Sequence, residues 1–174
     1  MATKGQVLYN EKTREKIEFV ETSSTTNGER TTIIWTMTKE GSNPVEHLHK
    51  NFDEHFEILT GKMSFSLGKE KGFKTKGEKF TFPSGVPHRH WNEQVEDLVV
   101  KQTISPAFDM EDVITTLFQF AAEGKMQGGN PPLLQVMYWL KYGKSKTYLA
   151  AIPVQSKFSW HPSWGLLPIC WVIG

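Results

Sequence analysis

Turn residues divide the chain between Lys16 and Ile104 into short segments that are rich in Val, Ile, Thr, Phe and Trp. Turns are indicated at Asn27-Gly28, Thr60-Gly61 and Pro83-Ser84-Gly85, since Gly and Asn accept a left-handed backbone and Pro presets a bend. The segments with the length and composition of β-strands are Lys16–Ser23, Thr31–Lys39, Val45–His49, His55–Leu59, Met63–Leu67, Phe80–Phe82, His88–Asn92 and Asp97–Ile104. Their regular spacing predicts an all-β core, folded as a sandwich or a barrel.

The pattern changes after Ser105-Pro106, where the hydrophobic period becomes that of helices. One helix is predicted to follow an N-cap at Asp109 and to end near Gly124. A second helix is predicted over Leu133–Tyr142. These two helices place an α-helical segment after the all-β part of the chain.

The charge and composition of the chain exclude several classes of partner. Lys and Arg number 20 against 19 Asp and Glu, so there is no electrostatic basis for binding nucleic acid or an anionic membrane. The single cysteine, Cys170, cannot form an intrachain disulfide, which favours a reducing compartment. Residues 1–14 lack the apolar core of a signal peptide, and no apolar stretch approaches the roughly 20 residues of a membrane helix. We therefore expect a cytoplasmic protein.

Two blocks of the sequence place metal-binding residue types at fixed intervals. Their fixed positions are Gly41, His47, His49, Glu54 and Gly61, and then Gly77, Pro83, Gly85, His88 and Asn92. Residues i and i+2 of a strand point to the same face, so His47 and His49 are expected to converge. Glu54 follows a turn and is expected to return on the adjacent antiparallel strand, while His88 begins another strand. The spacing therefore predicts one metal site built from three imidazoles and a carboxylate.

This ligand set restricts the choice of metal. Three imidazoles and a carboxylate suit one divalent transition metal, Fe, Zn, Mn, Ni or Cu, better than Ca or Mg. A six-coordinate ion with four protein ligands keeps two positions open for water, oxygen or a chelating substrate.

The two blocks resemble, position by position, the two motifs that define the cupin superfamily. The runs 53–59 and 85–89 are also similar to a widespread group of small cupins in which one barrel is followed by helices, and the likeness covers about residues 6–154. The resemblance implies an all-β core with the cupin double-stranded β-helix, or jelly-roll barrel, over residues 1–105. It also implies that residues 106–174 form a short α-helical extension packed on the barrel. The apolar tail from Ile152 is expected to pack on the barrel or on a second subunit.

The resemblance leaves three functions open. The first is a metal-dependent oxygenase acting on a small organic molecule, with Fe(II) favoured, because the four-ligand set recurs in cupin oxygenases. The second is a non-redox isomerase, lyase or cyclase that uses the metal as a Lewis acid. The third is a non-catalytic module that binds a small ligand. Since cupin barrels expose a sheet edge and an apolar face, we also expect a homodimer.

Several residues around the predicted metal are candidates for substrate chemistry. His90 lies two residues after His88 and is therefore expected to face inward, as a proton shuttle, a substrate contact, an alternative ligand or a hydrogen-bonded core residue. Trp35, Phe56 and Phe82 are candidates for an apolar substrate pocket, although core packing is also open to them. Gln102 joins this pocket set, because a polar side chain on an internal face needs a partner such as substrate or water.

Overall fold

The computed structural model describes residues 1–39, 41, 45–126 and 130–150. The elements along these residues are β1 (Val7–Asn10), β2 (Glu15–Glu21), a 3-10 helix (Ser23–Thr25), β3 (Thr31–Met37), β4 (His47–His49), β5 (Asp53–Thr60), β6 (Lys62–Leu67), β7 (Glu70–Thr75), β8 (Lys79–Phe82), β9 (His88–Trp91), β10 (Leu98–Ser105), α1 (Met110–Glu123), α2 (Leu133–Tyr142) and β11 (Thr147–Leu149). Neither α-helix is long and apolar enough to cross a membrane.

The strands form two antiparallel sheets. One sheet has the order β1-β2-β3-β10-β5-β8 and the other has the order β11-β4-β9-β6-β7. From β3 to β6, and again from β7 to β10, each successive strand belongs to the opposite sheet. This alternation is the jelly-roll arrangement, so the predicted all-β core followed by helices is confirmed.

The interior between the sheets is filled by alternate residues of the strands. In β10, Leu98, Val100, Gln102 and Ile104 are buried while Lys101 is exposed. β10 lies between β3 and β5, and it therefore contributes one face of its side chains to the core. The period-2 pattern that predicted this strand also sets which side chains reach the barrel interior.

Helix α1 packs against the barrel through two small groups of apolar side chains. Phe118 joins a cluster with Ile17, Phe19 and Ile33. Met110 and Val113 are buried at the N-terminal end of the helix, in a cluster with Phe52 and Ile104. β10 ends at Ser105, but the later strand β11 pairs with β4, so the segment predicted as a helical extension also adds a strand to the second sheet. The tail from Ile152 lies outside the described residues.

Asp109 precedes α1 as the predicted N-cap residue, but its side chain does not cap the helix. The carboxylate instead accepts hydrogen bonds from the backbone N–H groups of Lys144 and Ser145, at 2.8 and 2.7 Å. These contacts tie the start of α1 to the loop that leads into β11. The sequence pattern did not show this because the bonded groups are more than 30 residues apart.

Gly61 occupies a position where any side chain would collide with the backbone. Its φ is +84°, and a Cβ would lie 2.8 Å from the carbonyl oxygen of Asp97. Gly77 has nearly the same φ, +85°, but a Cβ there would meet nothing within 4 Å. Gly77 is therefore a matched control for the cost of the left-handed conformation alone.

We expect Gly61→Ala to destabilise the protein more than Gly77→Ala. Both substitutions carry the left-handed penalty of about 1–2 kcal/mol. Gly61→Ala adds the clash with the backbone and therefore destabilises the protein further. Each additional kcal/mol of destabilisation lowers the melting temperature by about 2–4 °C. Thermal unfolding of the two variants measures the difference. Equal melting temperatures would show that the backbone near Asp97 moves aside freely.

Candidate metal centre

The four predicted ligands converge from three strands of the barrel. His47 and His49 lie on β4, and His88 lies on the neighbouring strand β9, where it pairs with His47. Glu54 lies on β5, which belongs to the opposite sheet. The expectation that Glu54 returns on a strand adjacent to β4 was therefore wrong. The chain crosses between the sheets over residues 50–52, so Glu54 faces the histidines across the barrel interior.

The spacing of the four side chains suits a single ion. One ligand atom from each of His47, His49, Glu54 and His88 lies within 4.8 Å of all the others. Bonds of about 2.0–2.2 Å place opposite ligands of one metal roughly 4.2 Å apart, so small side-chain shifts close the set on an ion. His49, Glu54 and His88 are at most 3% exposed, whereas His47 is partly open to an adjoining cavity.

Hydrogen bonds orient the histidine rings for metal binding. Nδ1 of His47 lies 2.8 Å from the carbonyl oxygen of Val45, and Nδ1 of His88 lies 2.8 Å from that of Val86. Since a carbonyl oxygen only accepts, each Nδ1–H must donate, and each Nε2 keeps its lone pair. Nδ1 of His49 lies 2.9 Å from the Thr147 hydroxyl oxygen, on β11. Such outer hydrogen bonds are the usual means of fixing a metal-binding imidazole.

The inward atoms of the cluster lack the partners that burial requires. Among the described residues, Nε2 of His49, Nε2 of His88 and Oε2 of Glu54 are buried without a hydrogen bond. The two Nε2 atoms nevertheless lie 3.3 Å from the Glu54 carboxylate oxygens. At this distance a cation must lie between each nitrogen and the carboxylate oxygen, either a proton on the imidazole or a metal ion that both atoms bind. The donor set therefore fits a metal ion, which four convergent ligands would hold.

Electrostatics keep two ligands in the forms that bind metal. Burial lowers the pKa of His47 to about 3, and the neighbouring imidazole of His49 adds to the shift. Burial alone would raise the pKa of Glu54, but the imidazoles of His49 and His88 outweigh burial and hold that pKa well below its usual value. His47 is therefore neutral and Glu54 is a carboxylate at pH 7.

Gln102 orients Glu54. Its Nε2 donates a hydrogen bond of 3.0 Å to Oε1 of Glu54, inside the barrel. The sequence had required a partner for this internal amide and suggested substrate or water. The partner of its amide nitrogen is instead a candidate metal ligand, and the bond fixes how the carboxylate faces the histidines.

We expect Gln102→Leu to weaken metal binding about 10- to 100-fold, the usual effect of removing an outer hydrogen bond from a ligand. The matched control is Gln119→Leu, since the Gln119 amide is on the exposed face of α1 and bonds only to Glu123 among the described residues. Competition for metal against a chromophoric chelator measures both dissociation constants. Equal affinity in the two variants would contradict the orienting role of Gln102.

A cavity of about 580 Å³ begins at the candidate metal ligands and extends beneath the two helices. Trp35, His90 and Gln102 line it, as the sequence suggested. Phe56 and Phe82 are not among its lining residues; they are 2% and 0% exposed and pack in the barrel core. Phe56 and Phe82 therefore pack in the core, as the alternative interpretation of the sequence had it. The helices supply the apolar wall of the cavity instead.

Sequence reasoning missed the contribution of the helical extension to this cavity. Val113 and Leu117 of α1 and Val136 and Trp139 of α2 all line it. The signal was present as an apolar stripe along each helix, but the stripe does not say which part of the barrel it covers. Thr147, which also lines the cavity and bonds to His49, lay in a strand that the sequence analysis did not predict.

Comparison with known proteins agrees with the barrel architecture. Residues 33–104 match the model of the cupin domain family. This segment is a cupin domain. Its matched residues begin in β3 and end in β10, and they include all four candidate ligands. The cupin family predicted from the two blocks is therefore confirmed.

Individual relatives of the cupin domain are distant. A curated protein from Arthrobotrys oligospora, named as an oxidoreductase, is 24% identical over 115 residues, which are 62% of this chain and 46% of that protein. The chain thus spans about half the length of this curated relative. Among solved structures, KdgF from Halomonas sp. is 18% identical, with a TM-score of 0.47 over 56% of this chain and 84% of that chain. An RmlC-like cupin from Shewanella frigidimarina is 18% identical, with a TM-score of 0.48 over 57% and 83%.

Proposed function

We propose that this cupin is a metal-dependent oxidoreductase, an oxygenase that acts on a small organic molecule. The observation that carries the proposal is the position of three imidazoles and one carboxylate at the end of a largely apolar cavity. Fe(II) is the favoured metal, and when bound it would supply the redox and dioxygen chemistry that amino-acid side chains lack. The curated relative that is named an oxidoreductase supports this choice of reaction class.

The protein's own residues would prepare the site in three ways. The Nε2 atoms of His47, His49 and His88 would bind the ion as neutral donors, and the Glu54 carboxylate would offset part of its charge. Gln102 would hold the Glu54 carboxylate in one orientation. The apolar wall of the cavity would keep water away from the open positions of the metal, which strengthens every electrostatic interaction there.

His90 is our candidate for a residue that moves a proton in this reaction. Its ring is 3% exposed, lines the same cavity and packs against Phe56 with ring centroids 4.9 Å apart. Neither ring nitrogen has a hydrogen-bond partner among the described residues, so both are available to a substrate. His55 provides a contrast, because it is exposed on the outer face of β5 and its Nδ1 lies 2.9 Å from the Thr81 hydroxyl oxygen.

The homodimer stays a prediction from the sequence. Helix α2 leaves Leu134 and Met137 exposed at 81% and 57%, which is the kind of apolar surface that this prediction needs.

Oxygen consumption tests the proposed reaction. We expect the Fe(II)-loaded protein to consume dioxygen with at least one member of a panel of small organic molecules and to lose that activity in His88→Ala. We expect the Zn²⁺-loaded protein to be inactive, since Zn²⁺ has no redox chemistry. Turnover that proceeds equally under anaerobic conditions or with Zn²⁺ would replace the oxygenase with a non-redox isomerase, lyase or cyclase.

A further inference from the structure

The cavity holds buried polar atoms that no described residue satisfies. Nε1 of Trp35, both ring nitrogens of His90 and Oε1 of Gln102 have no hydrogen-bond partner in the described part of the chain. All three residues line the cavity, and the rings of Trp35 and His90 meet edge to face with centroids 5.6 Å apart. Buried polar groups are almost always hydrogen-bonded, so these atoms are available to a polar group of a ligand.

The chemistry of these atoms limits what the ligand's polar group is. The indole N–H of Trp35 only donates and Oε1 of Gln102 only accepts, while a neutral His90 offers one donor and one acceptor. A hydroxyl group complements this set because it both accepts and donates. A carbonyl oxygen complements its donors. We call Trp35, His90 and Gln102 the oxygen subsite.

The charge of the cavity limits the ligand further. The described lining contains no Lys or Arg, and its charged side chains, Glu15 and Glu54, are both carboxylates. Apart from the ion that the metal ligands would hold, a phosphate or carboxylate group on the ligand would meet no Lys or Arg side chain in the described lining. No Lys or Arg of the described lining can therefore pair with an anionic group of the ligand.

Most of the remaining wall of the cavity is hydrocarbon, with the polar side chains of Asn10, Thr13, Ser145 and Thr147 at intervals along it. Leu117 and Ala121 of α1 and Val136 and Trp139 of α2 cover the side away from the barrel. A volume of about 580 Å³ lies within the range typical of drug-sized ligands. A molecule with many hydroxyl groups would leave most of them unpaired against this wall.

From these observations, and on the basis of the proposed metal-dependent function, we infer the substrate class. The substrate is an uncharged, largely apolar molecule with a hydroxyl or carbonyl oxygen. That oxygen binds at the oxygen subsite, beside the metal ligands, and the hydrocarbon body lies under α1 and α2. The helices that follow the barrel therefore determine the size and shape of the substrate that fits.

Binding of three matched probes tests this inference without any turnover. 1-Naphthol, naphthalene and 1-naphthyl phosphate share one hydrocarbon body and differ only in the polar group. Fluorescence titration of the full-length, Zn²⁺-loaded protein gives their dissociation constants. We expect 1-naphthol to bind about ten-fold more tightly than naphthalene, the value of one buried hydrogen bond, and more tightly than 1-naphthyl phosphate. Tighter binding of the phosphate, or no binding of 1-naphthol, overturns the inference.

Two substitutions test the oxygen subsite. Trp35→Phe and His90→Phe are each expected to weaken 1-naphthol binding about ten-fold and to leave naphthalene binding unchanged. The matched controls are Trp91→Phe and His55→Phe, because neither Trp91 nor His55 lines this cavity. Zinc content of one ion per chain in each variant shows that the metal site is intact. Equal losses for both probes would indicate a structural role instead and would overturn the assignment.

A pair of adjacent alanines tests the hydrocarbon wall. Ala121 lines the cavity whereas Ala122, the next residue of α1, is not among the lining residues. Ala121→Phe is therefore expected to weaken both 1-naphthol and naphthalene, and Ala122→Phe is expected to weaken neither. Equal effects of the two substitutions contradict the placement of the ligand under α1.

These outcomes are separable from those of the oxygen-consumption test. Normal zinc content with the wrong probe preference overturns the substrate class and leaves the metal site standing. The expected probe preference with no oxygen consumption supports the substrate class and contradicts the oxygenase.

Discussion

Removing bound metal is expected to lower the melting temperature of this protein by about 8–16 °C. A ligand present at a thousand times its dissociation constant stabilises the folded state by about 4.1 kcal/mol. Each kcal/mol corresponds to roughly 2–4 °C in a chain of this size. The physical reason is that the ion binds the folded state, where the four ligands converge, and not the unfolded chain, where they lie apart. Scanning calorimetry with chelator, and then with metal restored, measures the shift.

The control for this experiment is the double variant His47→Ala/His88→Ala. Because it lacks two of the four candidate ligands, its melting temperature should not respond to the chelator or to added metal. A wild-type protein that melts at the same temperature with and without metal would contradict the predicted coupling between metal binding and stability.

The second large effect concerns metal affinity. We expect His49→Ala to weaken metal binding more than about 100-fold, since even the loss of an outer hydrogen bond to a ligand costs 10–100-fold. His49 is 2% exposed, and water can replace its Nε2 only poorly in this enclosed site. Competition against a chromophoric chelator measures the dissociation constant.

His55→Ala is the matched control for this affinity measurement. His55 lies next to Glu54 in β5 but points to the outside of the barrel, where its ring bonds to Thr81. We expect its metal affinity to stay within about two-fold of the wild-type value, because surface substitutions away from a site have small effects. Equal losses in the two histidine variants would indicate that the metal binds elsewhere.

The sequence predicted the parts of the fold and site that depend on local periodicity. The alternation of side chains along a strand was enough to place His47 and His49 on one face and to turn His90 inward. The helix over Leu133–Tyr142 has the predicted bounds, since its hydrophobic pattern and the preceding prolines are local signals. The two blocks also identified the cupin domain that residues 33–104 form.

The features that sequence reasoning missed depend on contacts between distant parts of the chain. No local pattern indicated that β5 lies in the sheet opposite β4, so Glu54 was expected in the same sheet as His47 and His49. Strand β11 has only three residues, too few for a pattern, yet its Thr147 orients His49. Phe56 and Phe82 were placed in the pocket because apolar side chains of a core and of a cavity wall look alike in sequence.

The measurement that tests the central claim most directly is the metal content of the purified protein and of His47→Ala/His88→Ala, by elemental analysis. If His47, His49, Glu54 and His88 form one site, the wild-type protein carries one transition-metal ion per chain, and the double variant carries none. A wild-type protein that retains no metal after loading with iron, zinc, manganese, nickel or copper would contradict the claim.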